Sequence, residues 1–385
     1  MPALAELIAV LDGWFDPAWA EPWDAVGLVC GDPDEPVERV LLAVDAVPAT
    51  VAEAIDGRAG LLVTHHPLLL TGVHGVPASD PKGRLVHRMI RAGVAHFVAH
   101  TNADVARPGV SDALAGRLGL TGLRPLDPQP ADALDKLVVF VPEGDAERLV
   151  DALAAAGAGR LGDYERCAWQ SSGAGTFRPL AGADPAIGRV GEIERVAEAR
   201  VEMVVPAAHR RDVLAALRST HPYEEPAFDL LVQHRLPGER GTGRVGELPA
   251  AMTLAGFTRH AATALPATAW GVRAAGDPDR LVRTVAVCGG SGGSLVEDAR
   301  RAGADAFLTA DLKHHPAVEA VTERDGDGPA LVDAAHWATE APWLEAVAGA
   351  LRERFGTTVD VRVSRLVTDP WTVHVPSPEA SPISP

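Results

Sequence analysis

The chain has 385 residues, with 35 basic against 52 acidic side chains, a net charge of -17. That excess of negative charge argues against a non-specific grip on nucleic acid or an anionic membrane, because phosphates are repelled wherever no local basic patch intervenes. A hydrophobic content of 47% excludes wholesale disorder, while 38 glycines and 31 prolines, about 18% of the chain against the usual ~12%, announce many turns.

The segment Met1 to Phe15 carries Glu6 and Asp12 and lacks the basic start of a secretory signal. No apolar run reaches the ~20 residues that span a bilayer, so a cytoplasmic protein is expected. Arg39 to Asp45 (RVLLAVD) predicts a strand buried on both faces, and Pro48 opens a helix through Ile55. Ala59 to Thr64 predicts a second strand, Arg84 to Ala92 a helix, and Val94 to Ala99 a third strand ending at His100. The grammar returns later: a strand from Arg283 to Cys288, a glycine loop, a helix around Leu295 to Ala302, and a strand from Asp305 to Thr309. Each half runs from its second strand into a histidine pair and a proline, His65-His66-Pro67 and His314-His315-Pro316. The expected fold is α/β, with two related halves forming one metal-binding layer.

Between the halves, Leu137 to Gly157 resembles Val201 to His221; each copy reads as a strand, a Pro-containing turn and a helix. With return strands near Arg166 to Ser171 and Ala227 to Gln233 this predicts a βαββαβ unit, the ferredoxin-like arrangement. The expected division is 1–127 for the first half, 128–245 for the ferredoxin-like α+β insert and 246–375 for the second half. Residues 376–385 (PSPEASPISP) read as a disordered tail. Cys30, Cys167 and Cys288 are odd in number and far apart, which speaks against a disulfide framework.

Three motifs follow expected buried strands: Thr64-His65-His66-Pro67, His100-Thr101-Asn102-Ala103-Asp104, and Asp333 to Glu340 with His336. Ligand crevices in open α/β sheets lie at the carboxyl ends of strands, so the three can converge. Neighbouring side chains at a strand end diverge, so His65 and His66 do not readily chelate one ion, and two ions resolve the difficulty. His336 and Glu340, four apart, share a helix face. Three imidazoles and two carboxylates suit two open sites completed by water, and favour zinc, manganese, iron, cobalt or nickel over magnesium or calcium. Cys288 to Gly293 (CGGSGG) reads either as a tight turn that lets a helix pack or as an anion cradle at Gly289 to Gly293. Lys313, one of three lysines with Lys82 and Lys136, stands beside His314 and His315, where it can pair with a phosphate or with a carboxylate of the cluster. His221-Pro222-Tyr223-Glu224-Glu225 reads as a turn entering a strand.

These motifs, with Glu21-Pro22-Trp23-Asp24-Ala25-Val26-Gly27-Leu28 and Asp311-Leu312-Lys313-His314-His315, closely resemble the Nif-three-like dinuclear-metal-centre family, whose members are often labelled GTP cyclohydrolase I type 2 homologues. The central Thr176 to Leu180, Gly191-Glu192 and His221 to Ala227 look like the PII/CutA-like insert of the longer members. The resemblance implies two divalent ions per chain: His66 and Asp104 for one, His65 and His336 for the other, with Glu340 bridging and His100 behind the ligands, orienting the loop that presents Asp104. It implies a toroidal homohexamer and a metal-dependent hydrolase acting on a nucleotide-like or phosphoester substrate, at C8 of guanine if the label is literal. The other class of function is a non-catalytic metal-binding or regulatory hexamer whose insert senses a ligand. Ala25 stands where the family usually has asparagine, and Ala335 where glycine commonly precedes the histidine.

Overall fold

The computed structural model describes residues 1–322 and 328–375; the tail expected at 376–385 lies outside them. The chain forms a mixed α/β structure with three sheets. It divides into two compact units, one made of Met1–Gln129 with the chain from Glu239 onward, the other of Pro130–Gly238.

In the larger unit a five-stranded sheet has the order Gly27–Cys30, Ala95–Val98, Leu61–Thr64, Arg39–Ala43, Asp360–Val363, parallel throughout except for the first strand. Leu61 and Val63 point into a core that also contains Val285, Val287, Leu308 and Val332 of the second sheet, whereas Leu62 packs with Val51, Ala54, Leu85 and Met89 of the helices Pro48–Asp56 and Pro81–Arg91 on the other face. Burial on both faces is why these strands read as unbroken apolar runs. The second sheet has six strands in the order Val272–Ala275, Ala330–Ala334, Ala306–Thr309, Leu281–Val287, Pro237–Thr253, Thr121–Pro130. Its three inner strands from Ala330–Ala334 to Leu281–Val287 are parallel. The motifs therefore come from two sheets with a shared core, where the sequence reading placed them on one layer; periodicity fixes which face of a strand is buried, not which strands pair.

Thr121–Pro130 and Pro237–Thr253 are neighbours in that sheet, and the smaller unit leaves and re-enters the larger one through them. Adjacent exit and entry strands are what an insertion needs. A division at residue 245 falls inside Pro237–Thr253, whose glycines hid its strand character. Gly241 there is packed so closely that a Cβ would stand 2.2 Å from the Asp127 carbonyl oxygen. Arg244, 1% exposed, pairs with Asp112 at 2.7 Å and donates to the carbonyls of Ala106, Gly241 and Gly243. It thereby ties this strand to the helix Val110–Arg117 and to the turn after Asp104.

The smaller unit is a four-stranded antiparallel sheet in the order Ala168–Phe177, Glu194–Pro206, Leu134–Pro142, Phe228–Val232. Helices Ala146–Ala155 and Arg210–Thr220 bury Leu149, Leu153, Val213 and Leu217 against its Val139, Val201 and Met203. Cys30, Cys167 and Cys288 are all free.

Candidate metal centre

His65 and His66 follow the strand Leu61–Thr64 directly, and Thr64 holds the turn by donating its hydroxyl to the His66 carbonyl at 2.9 Å. Asp104 rides on the short helix Thr101–Val105, just beyond the end of the neighbouring strand Ala95–Val98. His336 is the first residue of the helix His336–Phe355, and Glu340 stands one turn later on the same side. Both sheets thus aim their strand ends at one place.

The meeting point is the Glu340 carboxylate, whose side chain is almost fully buried. His336 Nε2 lies 2.9 Å from Glu340 Oε1, His66 Nε2 3.1 Å from Oε2, and His65 Nε2 3.5 Å from Oε1. His65 Nε2 is also 3.8 Å from Asp104 Oδ1. All five expected side chains are therefore brought together. His66, His336 and Glu340 can offer donor atoms to one ion, and so can His65, His66 and His100. His100 consequently faces the cluster, its ring 5.1 Å from that of His65.

What sets the direction of these rings is the other nitrogen. Each Nδ1 meets an oxygen that can only accept: His65 Nδ1 donates to the Ala99 carbonyl at 2.9 Å, His66 to Asp45 at 2.7 Å, His100 to Asp24 at 2.8 Å and His336 to Asp311 at 2.7 Å. A neutral imidazole with its proton on Nδ1 presents a lone pair at Nε2, the arrangement that metal-binding histidines use. Asp45 is itself held by the Thr368 hydroxyl. The sequence assigns no role to Asp24, Asp45 and Asp311, because their partners are remote along the chain and an aspartate just before or after a strand is an ordinary loop residue. In the structure Asp311 stands out by a left-handed backbone at φ +56°, uncommon in a non-glycine residue.

Electrostatics expose a deficit at the centre. Nε2 of His65 and Oε2 of Glu340 are buried without a hydrogen-bond partner among the described residues, although His66 Nε2 stands only 3.1 Å from that oxygen. Lone pairs facing a carboxylate repel unless a proton or a cation lies between them. Burial disfavours charge on His66, yet Glu340 beside it and the Asp45 hydrogen bond lift it to about 11. Burial likewise opposes charge on His336, and Glu340 and Asp311 raise it to about 9. Burial pushes Asp104 up to about 6, with His65 pulling it down and Glu340 pushing it up. Glu340 is driven the other way: burial opposes its charge, but the imidazoles hold it well below the ordinary range. An imidazole-carboxylate donor set with orphaned buried atoms fits a divalent transition ion.

The glycine loop completes the wall. A Cβ on Gly290 would stand 2.5 Å from Glu340 Oε1 and 3.1 Å from His336 Nε2. The amides of Gly289, Gly290 and Gly292 donate to the hydroxyls of Ser111, Thr339 and Thr309. With these three amides turned onto the protein's own hydroxyls, this part of the loop is a close-packed turn. Lys313, His314 and His315 are exposed at the start of His314–Thr322, and none makes a contact with the cluster among the described residues. Within the smaller unit His221 Nε2 donates to the Phe140 carbonyl at 2.9 Å, and its Nδ1 accepts from the Tyr223 amide at 3.0 Å, the latter in keeping with a turn. That unit also has a cavity of about 610 Å³ lined by Phe140, Phe177, Glu198, Arg200 and Tyr223, with no histidine in its lining. No helix among the described residues is long and apolar enough to cross a membrane.

The model of the Duf34/NIF3 (NGG1p interacting factor 3) family matches residues 2–370. A Mycobacterium tuberculosis protein named GTP cyclohydrolase 1 type 2 homolog is 53% identical over 371 residues, covering 96% of this chain and 97% of that one. A Bacillus subtilis protein of the same name is 38% identical over 372 residues, covering 95% and 97%. The crystal structure of a Bacillus cereus protein related to NIF3 superposes with a TM-score of 0.77 at 36% identity, covering 96% of this chain and 98% of that one. The crystal structure of the Staphylococcus aureus protein SA1388 gives a TM-score of 0.83 at 29% identity, with the same coverage. The chain belongs to the Duf34/NIF3 family.

Proposed function

We propose that the chain holds two divalent transition-metal ions among His65, His66, Asp104, His336 and Glu340 and acts as a metal-dependent hydrolase on a nucleotide-like or phosphoester substrate. One observation carries the reading: three Nε2 atoms converge on the buried Glu340 carboxylate while every corresponding Nδ1 is tied to an acceptor. The family resemblance pairs His66 with Asp104 and His65 with His336; the side chains as they stand group His66 with His336 and bring His65 to Asp104. Glu340 is central to both arrangements. Ions bound in such a site polarise a substrate oxygen and lower the pKa of water toward neutrality. Asp24, Asp45 and Asp311 keep the rings in the metal-binding tautomer, and the Gly290 wall keeps Glu340 in place. The relatives' name points to a guanine carbon as the reacting atom, and the same donor set suits a phosphoester.

The deciding experiment is turnover of a nucleotide and phosphoester panel by metal-replete protein beside His66→Ala and Glu340→Ala. Loss of turnover in both variants supports the reading, and equal rates in all three refute it. Elemental analysis should find close to two transition ions per chain, with Asp104→Ala and His65→Ala each losing occupancy. Retained ions with no turnover on any substrate would favour the other function, a metal-binding or regulatory assembly.

The strand order of Pro130–Gly238, with βαββαβ connectivity, supports the ferredoxin-like, PII/CutA-like reading of the insert. Arg39–Ala43, Leu61–Thr64 and Ala95–Val98 in one sheet and Leu281–Val287, Ala306–Thr309 and Ala330–Ala334 in the other each run parallel in succession, with an antiparallel edge strand beside the last of them, which supports two related halves; the first sheet adds Asp360–Val363 as a fourth parallel strand. A toroidal homohexamer in the cytoplasm is proposed from the family resemblance, and sedimentation equilibrium tests the assembly.

A further inference from the structure

A tryptophan stands beside the cluster with much of its ring in solvent. Trp23 is 58% exposed, and its ring lies 6.0 Å from that of His100 with the planes at 79°. His100 in turn is 5.1 Å from His65 and 5.6 Å from His66, so a single imidazole separates the indole from the donor atoms. An indole has one of the largest apolar surfaces of any side chain, and left on a slack loop it would fold down onto the nearest apolar ground.

This loop is not slack. The Asp24 carboxylate, whose side chain is 0% exposed, accepts from the Ala25 amide at 2.7 Å, the Thr101 amide at 3.0 Å and the Thr101 hydroxyl at 2.6 Å, besides holding His100 Nδ1 at 2.8 Å. Upstream, the Glu21 amide donates to the same Thr101 hydroxyl at 2.9 Å. The backbone is pinned on both sides of Trp23, and the ring is presented outward. The same carboxylate fixes both the indole's loop and the His100 ring, which sets their relative position.

The geometry points to Trp23 as a stacking platform for a planar heteroaromatic ring of the substrate, with the reacting group of that substrate reaching past His100 to the imidazole-carboxylate cluster. The inference rests on the hydrolase reading and narrows it: the substrate carries an aromatic ring system next to its reacting or phosphoryl group. An aromatic side chain accepts any such ring through its π-face and does not choose among bases by hydrogen bonding. The approximately perpendicular contact with His100 leaves indole surface open for it.

The test is isothermal titration of the metal-replete full-length chain with adenosine 5′-monophosphate and with ribose 5-phosphate, which share the sugar phosphate while the second has an anomeric hydroxyl in place of the planar base. Wild type, Trp23→Ala and Trp23→Phe are compared, with metal content measured on each. The expected result is that wild type binds the nucleotide more tightly, that Trp23→Ala loses about five- to a hundredfold of nucleotide affinity with ribose 5-phosphate unchanged, and that Trp23→Phe recovers most of it. Equal binding of the two probes by wild type overturns the platform and leaves the cluster reading standing if metal content is intact. The platform is also overturned if Trp23→Ala weakens both probes alike or shifts the sedimentation of the protein, because the ring then serves the loop or an assembly contact. Metal missing from wild type itself counts against the cluster reading separately.

Discussion

Replacing Gly290 by alanine should empty the metal centre while leaving the fold standing. The backbone there has φ +65°, and a Cβ would meet Glu340 Oε1 at 2.5 Å and His336 Nε2 at 3.1 Å, against an ordinary contact of at least 3.4 Å. The carboxylate must retreat by roughly 1 Å, whereas ligand distances in a working site hold to about 0.2 Å. Glu340 has little room to move, because it is buried beside three imidazoles whose other nitrogens are fixed. The left-handed backbone alone costs an alanine roughly 1–2 kcal/mol. Gly303 isolates that cost: it has φ +73° and its Cβ would meet nothing within 4 Å. Gly290→Ala and Gly303→Ala should therefore each lower urea stability by about 1–2 kcal/mol. Only Gly290→Ala should weaken metal binding, by at least the ~10–100-fold that displaced outer-shell partners typically cost. Metal is measured by elemental analysis after dialysis at a fixed free concentration. Wild-type affinity in Gly290→Ala would show that metal binding does not depend on the Glu340 carboxylate standing where the structure places it.

Asp45→Asn and Asp311→Asn free the tautomers of His66 and His336, and each should weaken metal binding about 10–100-fold with the fold intact; unchanged affinity in both would reject their orienting role. In metal-free protein Glu340, with Asp45 and Asp311 behind the rings, pushes His66 up to about 11 and His336 up to about 9 from the ordinary 6.5 against the opposing effect of burial. A raised folded-state pKa contributes stability that is fully present below about 6.5 and is lost as pH rises through the raised values, so chelator-treated protein should lose stability between pH 7 and pH 10. Urea unfolding across that range checks the sign, and a rise in stability would contradict it. Metal uptake should release protons at pH 7 to 8, measured as a dependence of the titration enthalpy on buffer ionisation. Arg244→Met leaves the Asp112 carboxylate without its buried partner and should cost about 3–5 kcal/mol in urea unfolding; a loss below about 1 kcal/mol would show that the pair does not tie the strand to its helix.

Strands such as Arg39–Ala43, Leu61–Thr64 and Ala306–Thr309 were legible because each is buried on both faces and so is written as an unbroken apolar run. Thr121–Pro130 has three prolines and Pro237–Thr253 four glycines, and no window of either looks like a strand. They are strands because they flank each other in a sheet that Leu281–Val287 extends, a relation between segments more than a hundred residues apart. The same limit governs the site. His65, His66, Asp104, His336 and Glu340, which the structure brings together, fall in short motifs just past buried strands, and that placement is what makes them candidates in the sequence. Asp24, Asp45 and Asp311 sit in equally accessible places, but their work is defined by the rings they hold, and His100 reaches Asp24 across 76 positions.

The cluster also shows why such a site can exist in a stable fold before any ion arrives. Three imidazoles aimed at one buried carboxylate, with their outer nitrogens already donating, are repulsive when neutral, and the raised pKa values of His66 and His336 resolve that repulsion with protons. In the metal-free centre, protons on His66 and His336 take up the balance of charge against Glu340 that an ion would supply under the proposed reading. A chain with a net charge of -17 adds a diffuse attraction for cations that favours the exchange. Under the proposed reading, selectivity comes from the fixed directions of the donors more than from charge, and it rests on the aspartates behind the rings and the bare backbone of Gly290 as much as on the imidazoles and carboxylates at the centre.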